Sequence, residues 1–152
     1  MPKSSDIQIT GSIPSEWLEE ILPILLQRFS NVLLVDDSEF LCTIMSTFFQ
    51  LEGFTTSTAL DGNEAIKAFQ KEIPDIAFID LVMPNLSGLE VAKTVRLSDN
   101  PKIPVLVALS GRDDEEYRRK AAMAGFDHFL VKPIDPAALR GFLASLVIDS
   151  KG

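Results

Sequence analysis

Five polar residues that could take part in chemistry follow apolar runs, each typical of a buried strand. The runs and the residues after them are 32–35 with Asp36 and Asp37, 76–79 with Asp80, 105–109 with Ser110, and 129–131 with Lys132. Ligands of an open parallel sheet bind outside the carboxyl ends of its strands, so these side chains are predicted to meet at one edge. Three carboxylates packed together repel one another unless a cation joins them. The pattern therefore predicts a hard divalent metal beside a reactive aspartate.

These residue types suit phosphoryl transfer onto a carboxylate, a reaction in which positioning and charge neutralisation supply most of the catalysis. Asp80 is the candidate nucleophile, which would form an acyl phosphate. Asp37 and Asp80 are candidate direct ligands of Mg²⁺, and Asp36 could hold a metal-bound water. Lys132 would pair with Asp80 and afterwards with a phosphoryl oxygen. Ser110 would donate its hydroxyl to another phosphoryl oxygen.

Taken one at a time, the same residues have ordinary structural interpretations. Asp36, Asp37 and Ser110 could cap the helices that follow them, and Lys132 could lie with its stem along the surface. Asp80 is harder to explain in this way, because a carboxylate at the end of an apolar strand is costly to bury unless it is paired or metal-bound. Packing does not require every inner strand to lead into a reactive group, so the joint pattern favours a site.

Apolar runs alternate regularly with helical patterns from residue 31 onward. Strands are predicted over 31–35, 54–58, 75–79, 104–109 and 127–131, and helices over 38–52, 62–71, 87–97, 113–124 and 136–147. Five βα units with mostly apolar strands indicate an α/β fold, in which helices cover both faces of a parallel sheet. Short connections and right-handed crossovers favour the doubly wound strand order 2-1-3-4-5.

Residues 1–30 are predicted to form an N-terminal extension ahead of a domain at 31–152. Within it a helix is predicted over 13–29, where apolar side chains recur at helical spacing: Trp17, Leu18, Ile21, Leu22, Leu25, Leu26 and Phe29. Pro23 falls inside this pattern and is expected to kink or split the helix. The stripe is too apolar to remain in water, so it is expected to dock on the domain or on a second copy. The alternatives are a linker helix cut from a longer protein and a signalling helix whose natural partner is absent.

The composition of the 152-residue chain excludes several classes of protein. A hydrophobic fraction of 46% suits a packed core and excludes a disordered chain, and a formal charge of −8 argues against nucleic-acid binding. No apolar run approaches the ~18 residues of a membrane span, and no secretion signal is visible. The single Cys42 cannot form an intramolecular disulfide, which favours a reducing, cytoplasmic location.

Residues 31–147 resemble a receiver domain of the two-component response regulators. The motifs that carry the resemblance are Asp36-Asp37, Asp80 followed by Met83-Pro84 and Gly88, Ser110-Gly111, Phe129, and Lys132-Pro133. The resemblance implies a flavodoxin-like fold and Mg²⁺-dependent transfer of a phosphoryl group from a phosphohistidine donor. That donor would be a histidine kinase or a histidine phosphotransfer protein. A cis peptide bond between Lys132 and Pro133 is also implied, in keeping with the near confinement of cis bonds to proline.

The resemblance also implies roles for individual residues. Asp80 becomes the phosphoacceptor, and the Mg²⁺ ligands become Asp37, Asp80 and the backbone carbonyl of Val82. Ser110 and Phe129 take the switch positions, where the family often has Thr and Tyr. Phe129 can still rotate between buried and exposed positions, but it offers no hydroxyl to a partner.

Alternative functions have less support. Beyond its own phosphorylation and dephosphorylation the chain is not expected to be an enzyme: a haloacid-dehalogenase-like phosphatase needs a second acid where this chain has Val82. A receiver-shaped scaffold that works without phosphorylation is the other alternative, against which the intact acids, Ser110 and Lys132 argue. Too few residues follow 147 for an output domain, so a stand-alone regulator or a receiver from a larger protein is expected. A homodimer through the N-terminal helix or the last two βα units is a further expectation.

Overall fold

The computed structural model describes residues 15–149 of the chain. The predicted polar tail at 1–12 and the predicted helix start at Ile13 and Pro14 lie outside the described residues. Within 15–149, none of the helices combines the length and the apolar character that crossing a membrane requires.

Helices and strands alternate along the described residues. The strands are β1 (Asn31–Val35), β2 (Thr55–Ala59), β3 (Ile76–Asp80), β4 (Val105–Ser110) and β5 (His128–Val131). The helices are α1 (Ser15–Arg28), α2 (Glu39–Leu51), α3 (Gly62–Lys71), α4 (Gly88–Leu97), α5 (Glu115–Ala124) and α6 (Pro136–Asp149). Every predicted element is therefore present, and the described boundaries differ only slightly from the predicted ones.

The strands form one parallel sheet in the order β2-β1-β3-β4-β5, which confirms the predicted doubly wound α/β fold. The order reverses between β1 and β3, the kind of position where such sheets bind ligands. In the register, Asp80 lies opposite Leu109, and Ser110 lies opposite Val131. The carboxyl ends of β3, β4 and β5 are therefore nearly level, and the residues that follow them emerge at one edge.

The core of the sheet lies along its central strands, because β1, β3 and β4 are buried almost throughout. Phe49 of α2 is fully buried, and its ring lies 5.3 to 5.4 Å from the rings of Phe48, Phe54 and Phe78. Burial of one such side chain contributes roughly 1.5–3 kcal/mol to folding. This apolar core makes the sheet a firm base for the polar residues at its edge.

Side-chain caps fix the first turns of the helices that follow β3 and β4. Ser87 and Glu90 form a capping box at the start of α4, and Asp114 accepts a hydrogen bond from the Tyr117 N–H at 2.8 Å at the start of α5. Helix α5 ends at Gly125, whose φ of 113° favours glycine. The loops that leave β3 and β4 therefore have fixed end points.

The chain forms two compact units, one containing α1 and α6 and the other comprising Asn31–Pro133. In the first unit α1 packs against α6. Leu18, Ile21 and Leu25 of α1 are at most 4% exposed, so the apolar stripe is docked within the same chain. The predicted boundary between an extension at 1–30 and a domain at 31–152 stays a prediction.

Pro23 lies inside one uninterrupted helix, so of the two predicted outcomes, a kink or a split, the split does not occur. Proline lacks the N–H that would bond the carbonyl of Glu19 one turn earlier. Both residues are exposed, so water can bond that carbonyl instead. Ile21 and Leu25, on either side of the proline, remain fully buried, and their packing stabilises the helix despite the missing hydrogen bond.

Leu25→Ala tests whether the packing of α1 contributes to stability. It is expected to lower the free energy of unfolding by about 2–5 kcal/mol, because it leaves a cavity at a fully buried position. Gln27→Ala, at an exposed position of the same helix, should change that free energy by no more than about 0.5 kcal/mol. Urea unfolding followed by circular dichroism measures both. Equal stability of the two variants would mean that α1 is a dispensable tail.

Candidate functional site

Four strands bring the predicted site residues to one edge of the sheet, within the unit Asn31–Pro133. Strand β1 leads into Asp36 and Asp37, β3 ends in Asp80, β4 ends in Ser110, and β5 leads into Lys132. Asp36, Asp80 and Ser110 are buried, whereas Asp37 is exposed. The edge therefore holds a buried polar cluster with Asp37 on its solvent side.

Lys132 is the cation of this cluster. Its Nζ lies 2.7 Å from Oδ2 of Asp36 and 3.4 Å from Oδ2 of Asp80. The predicted contact with Asp80 is present, but the shorter contact is with Asp36. The ammonium group thus lies between two carboxylates that would otherwise repel each other.

Burial and a neighbouring charge disfavour the ionised form of Asp80. Burial and, after it, the charge of Asp36 raise the pKa of Asp80 to about 6, although the Val82 N–H and Lys132 act in the opposite direction. Burial lowers the pKa of Lys132, but its hydrogen bond to Asp36 and the charge of Asp80 outweigh that effect and raise it. Lys132 therefore stays charged, and a further cation would favour ionised Asp80.

Backbone and thiol contacts hold Asp36 in place. The Ser38 N–H donates to Asp36 Oδ1 at 2.8 Å, and the Cys42 thiol donates to the Asp36 carbonyl at 3.5 Å. Burial and then the charge of Asp36 raise the pKa of Cys42 to about 11. The thiol stays protonated at neutral pH, so Cys42 serves as a buried structural residue of α2 rather than as a nucleophile.

The acidic residues fit the metal that the sequence predicts. One carboxylate oxygen from each of Asp36, Asp37 and Asp80 lies within 4.8 Å of the others. Carboxylate oxygens are the donors that Mg²⁺ prefers. Three ionised carboxylates against the single ammonium of Lys132 leave two negative charges in excess, which matches a divalent cation. These residues could therefore hold Mg²⁺, with the backbone carbonyl of Val82 predicted as a further ligand.

The loop between β3 and α4 is fixed to Asp80. The Val82 N–H donates to Asp80 Oδ1 at 3.2 Å, and the Gly88 N–H donates to the Leu81 carbonyl at 3.1 Å. A Cβ on Gly88 would lie 2.2 Å from the backbone oxygen of Asp80, so only glycine fits there. The loop consequently holds the Val82 backbone beside the Asp80 carboxylate.

The Ser110 hydroxyl is engaged with the loop that follows β4. It donates to the Arg112 carbonyl at 2.9 Å and accepts from the Arg112 N–H at 3.0 Å. The Arg112 side chain pairs with Asp114 at 2.8 Å and lies 4.4 Å from the centre of the Tyr117 ring. The predicted bond from Ser110 to a phosphoryl oxygen would therefore require its hydroxyl to leave the Arg112 carbonyl.

Phe129 lies one strand away from Ser110, opposite Ala108 in the register. Its ring is half-buried, and the guanidinium carbon of Arg118 lies 4.5 Å from the ring centre. Beyond the end of β5, the peptide bond between Lys132 and Pro133 is cis. The two predicted switch residues therefore lie on adjacent strands. Ser110 bonds the loop that leads to α5, and Phe129 contacts Arg118 of α5.

A family model, that of the response regulator receiver domain, matches residues 32–144. The chain belongs to this family. Receiver domains are signalling domains of two-component systems and are generally not classed as enzymes.

Named relatives agree with this assignment. The chain is 39% identical to the probable transcriptional regulatory protein TcrX of Mycobacterium tuberculosis over 112 residues, which is 72% of this chain and 47% of TcrX. A chain in the CheX–CheY–BeF3–Mg²⁺ complex of Borrelia burgdorferi has a TM-score of 0.69 and 30% identity, covering 77% of this chain and 87% of that chain.

A third similar structure is the Saccharomyces cerevisiae complex of the histidine phosphotransfer signalling protein Ypd1 with the receiver domain of its downstream response regulator Ssk1. Its TM-score is 0.66 and its identity 29%, covering 73% of this chain and 85% of that chain. The chain spans about half the length of the curated relatives it matches.

Sequence reasoning did not find the contacts of Arg96 in this receiver domain. Its guanidinium donates to the Gly125 carbonyl at 2.9 Å, to the Pro104 carbonyl at 2.8 Å and to Asp127 Oδ2 at 2.9 Å. Gly125 and Asp127 lie 29 and 31 residues further along the chain, so no local pattern could signal the contact. Arg96 fixes the end of α4 at the edge of the sheet opposite the acidic cluster.

Asp80→Asn is expected to raise the free energy of unfolding of the metal-free receiver by about 1–3 kcal/mol near neutral pH, because it removes a buried charge beside Asp36. In the unmodified chain the pKa of Asp80 is about 6 in the folded state, above its usual value near 4. Between these two pH values the folded state therefore binds more protons than the unfolded state. The contribution of Asp80 to the free energy of unfolding should therefore fall as pH rises from about 4 to about 6.

Urea unfolding in the presence of a chelator, across that pH range, measures this contribution as the difference between the variant and the unmodified chain. Asp99→Asn is the control, because Asp99 is an exposed aspartate remote in sequence from the site. It should keep the pH dependence of the unmodified chain. The same pH dependence in Asp80→Asn would contradict the account of Asp80.

Proposed function

We propose that this receiver domain is a phosphorylation-dependent switch that accepts a phosphoryl group on Asp80 in a Mg²⁺-dependent reaction. The observation that carries the proposal is the buried Asp80 carboxylate, with Oδ1 bonded to the Val82 N–H and Oδ2 facing Lys132, inside a cluster that has an excess of negative charge. Fixed donors and cations around a buried group act more strongly than they would in water. Asp36 is held by comparable contacts, so the choice of Asp80 as acceptor rests also on its match to the receiver-domain motif.

The proposed reaction is a direct transfer from phosphohistidine. One oxygen of ionised Asp80 attacks phosphorus while the N–P bond of the donor breaks. The electron pair of that bond returns to the imidazole ring, which carries a proton on its other nitrogen and so leaves as neutral imidazole. The products are an acyl phosphate on Asp80 and the free histidine of the donor. Asp37, Asp80 and the Val82 carbonyl would bind Mg²⁺ directly, and Asp36 would hold a metal-bound water. The ion would neutralise charge on the phosphoryl oxygens.

Lys132 is proposed to pair with the phosphoryl group after transfer. Its ammonium already lies between Asp36 and Asp80, at 2.7 and 3.4 Å. A new anionic oxygen on Asp80 would offer a charge-assisted hydrogen bond in place of the longer of these contacts. The contact with Asp36 would keep Lys132 at the site in both states.

The proposed donor is a histidine kinase or a histidine phosphotransfer protein. The complex of Ypd1 with Ssk1 joins a histidine phosphotransfer protein to a receiver domain, and the CheX–CheY complex contains BeF3 and Mg²⁺. The first of these related structures supports a histidine phosphotransfer protein as donor for this chain, and the second supports a magnesium ion.

Ser110 and Phe129 are the proposed switch residues. When the Ser110 hydroxyl turns to a phosphoryl oxygen, its bond to the Arg112 carbonyl is lost, and the start of the following loop is released. Phe129 carries no hydroxyl, so a partner would recognise the position of its ring rather than a hydrogen bond. The half-buried ring, covered by Arg118, is able to change its exposure in either direction.

Acetyl phosphate tests the assignment of the acceptor. In the presence of Mg²⁺ the chain is expected to gain the mass of one phosphoryl group, measured by intact-mass spectrometry, and a chelator should abolish the gain because the carboxylates then repel the donor. Asp80→Asn should show no adduct, whereas Asp75→Asn, remote from the cluster, should be modified like the unmodified chain. An undiminished adduct in Asp80→Asn would overturn the assignment.

A further inference from the structure

Gly62, the first residue of α3, lies against the loop that carries Val82. A Cβ built on Gly62 would lie 2.3 Å from the Leu86 carbonyl oxygen and 2.6 Å from the Leu86 Cβ. These atoms are backbone, or are directly attached to it, so a flexible side chain cannot simply move aside. The start of α3 and the β3–α4 loop therefore fit together only because residue 62 has no side chain.

The conformation of Gly62 does not by itself require glycine. It is a helical residue, and its φ lies outside the left-handed range in which other residues are strained. At such a position alanine would ordinarily stabilise the helix by roughly 0.5–1 kcal/mol. Any harm from Gly62→Ala must therefore come from the contact with Leu86.

Backbone contacts restrain the loop on both sides of Leu86. The Gly88 N–H bonds the Leu81 carbonyl at 3.1 Å, which closes the loop, and Gly88 is already in close contact with the Asp80 backbone. Inside the closed loop, the Leu86 N–H bonds the Pro84 carbonyl at 2.9 Å across Asn85, whose φ is 70°. A displacement of Leu86 is therefore passed toward the loop residues nearest Asp80, which include Val82.

We propose that Gly62 is a positioning residue of the phosphorylation site: its missing side chain sets the place of the β3–α4 loop and, through it, of the Val82 backbone beside Asp80. The inference rests on the proposed Mg²⁺-dependent function. Magnesium demands nearly ideal octahedral geometry, so a shift of a backbone ligand is expected to weaken binding. Residues that orient metal ligands from outside the ligand set commonly change affinity about 10- to 100-fold.

Magnesium titration calorimetry on the full chain tests the proposal, with Gly62→Ala compared with Asn63→Ala. Asn63 is the next residue of α3 and is exposed, so its substitution makes a similar change to the helix without touching the loop. Gly62→Ala is expected to weaken Mg²⁺ binding about tenfold, and Asn63→Ala to leave it unchanged. The amide resonance of Val82 in the metal-free protein should also shift in Gly62→Ala alone, which a general loss of stability would not produce.

Two results would overturn the inference. One is Mg²⁺ affinity and a Val82 resonance in Gly62→Ala equal to those of Asn63→Ala. The second result applies if Gly62→Ala is too unstable to purify. A double variant that also carries Leu86→Gly lacks the Leu86 Cβ and has a looser loop, so it should fold. Because the close contact with the carbonyl of residue 86 remains, the double variant should still bind Mg²⁺ more weakly than Leu86→Gly alone. A folded double variant with the affinity of Leu86→Gly alone would contradict the proposal. Failure of the unmodified chain to bind Mg²⁺ would instead count against the proposed function.

Discussion

The repulsion between the buried carboxylates of Asp36 and Asp80 is the constraint on which the functional edge of this domain depends. Both groups are almost completely shielded from water, and a single ammonium, that of Lys132, lies between them. The arrangement is unfavourable for folding, since a buried charge without full compensation lowers stability. That a well-packed domain contains this unfavourable pair of carboxylates is consistent with a site that binds a cation and a phosphoryl group.

The sheet tolerates this cluster because the strands beneath it are buried along their length. The central strands are almost wholly apolar until they end, and the polar residues appear only at the carboxyl edge. The site is then adjusted by backbone contacts: the Val82 N–H bonds Asp80, and glycine is needed where Gly88 meets the Asp80 backbone. Stability and function are thus divided between the interior of the sheet and one of its edges.

Most helices and strands of this domain could be predicted from the sequence, because hydrophobic periodicity and the prolines and glycines that end these elements are local signals. Once these signals indicated a parallel sheet, the strand order could be predicted. So could the convergence of the polar residues at one edge, namely Asp36, Asp80, Ser110 and Lys132. Distances could not be predicted, so the closer approach of Lys132 to Asp36 than to Asp80 appeared only in the structure. Pro23 was expected to kink or split α1, and the split does not occur, because packing of the helix outweighs one missing hydrogen bond.

Contacts between residues far apart in the chain could not be predicted from the local sequence pattern. Arg96 reaches carbonyl groups on two other connections, and Ser110 is bonded to the loop that follows it rather than facing Asp80. The close approach of Gly62 to Leu86 likewise depends on how α3 meets the β3–α4 loop. Such contacts decide how the site is held, whereas the sequence pattern decides which residues it contains.

Phosphoryl transfer from an N–P donor tests the central claim most directly. With phosphoramidate as a chemical substitute for phosphohistidine, ³¹P NMR should show an acyl phosphate signal that requires Mg²⁺ and disappears on treatment with hydroxylamine, which cleaves acyl phosphates. The same experiment with Asp80→Asn should show no such signal. A signal that forms without Mg²⁺, resists hydroxylamine or persists in Asp80→Asn would contradict the account.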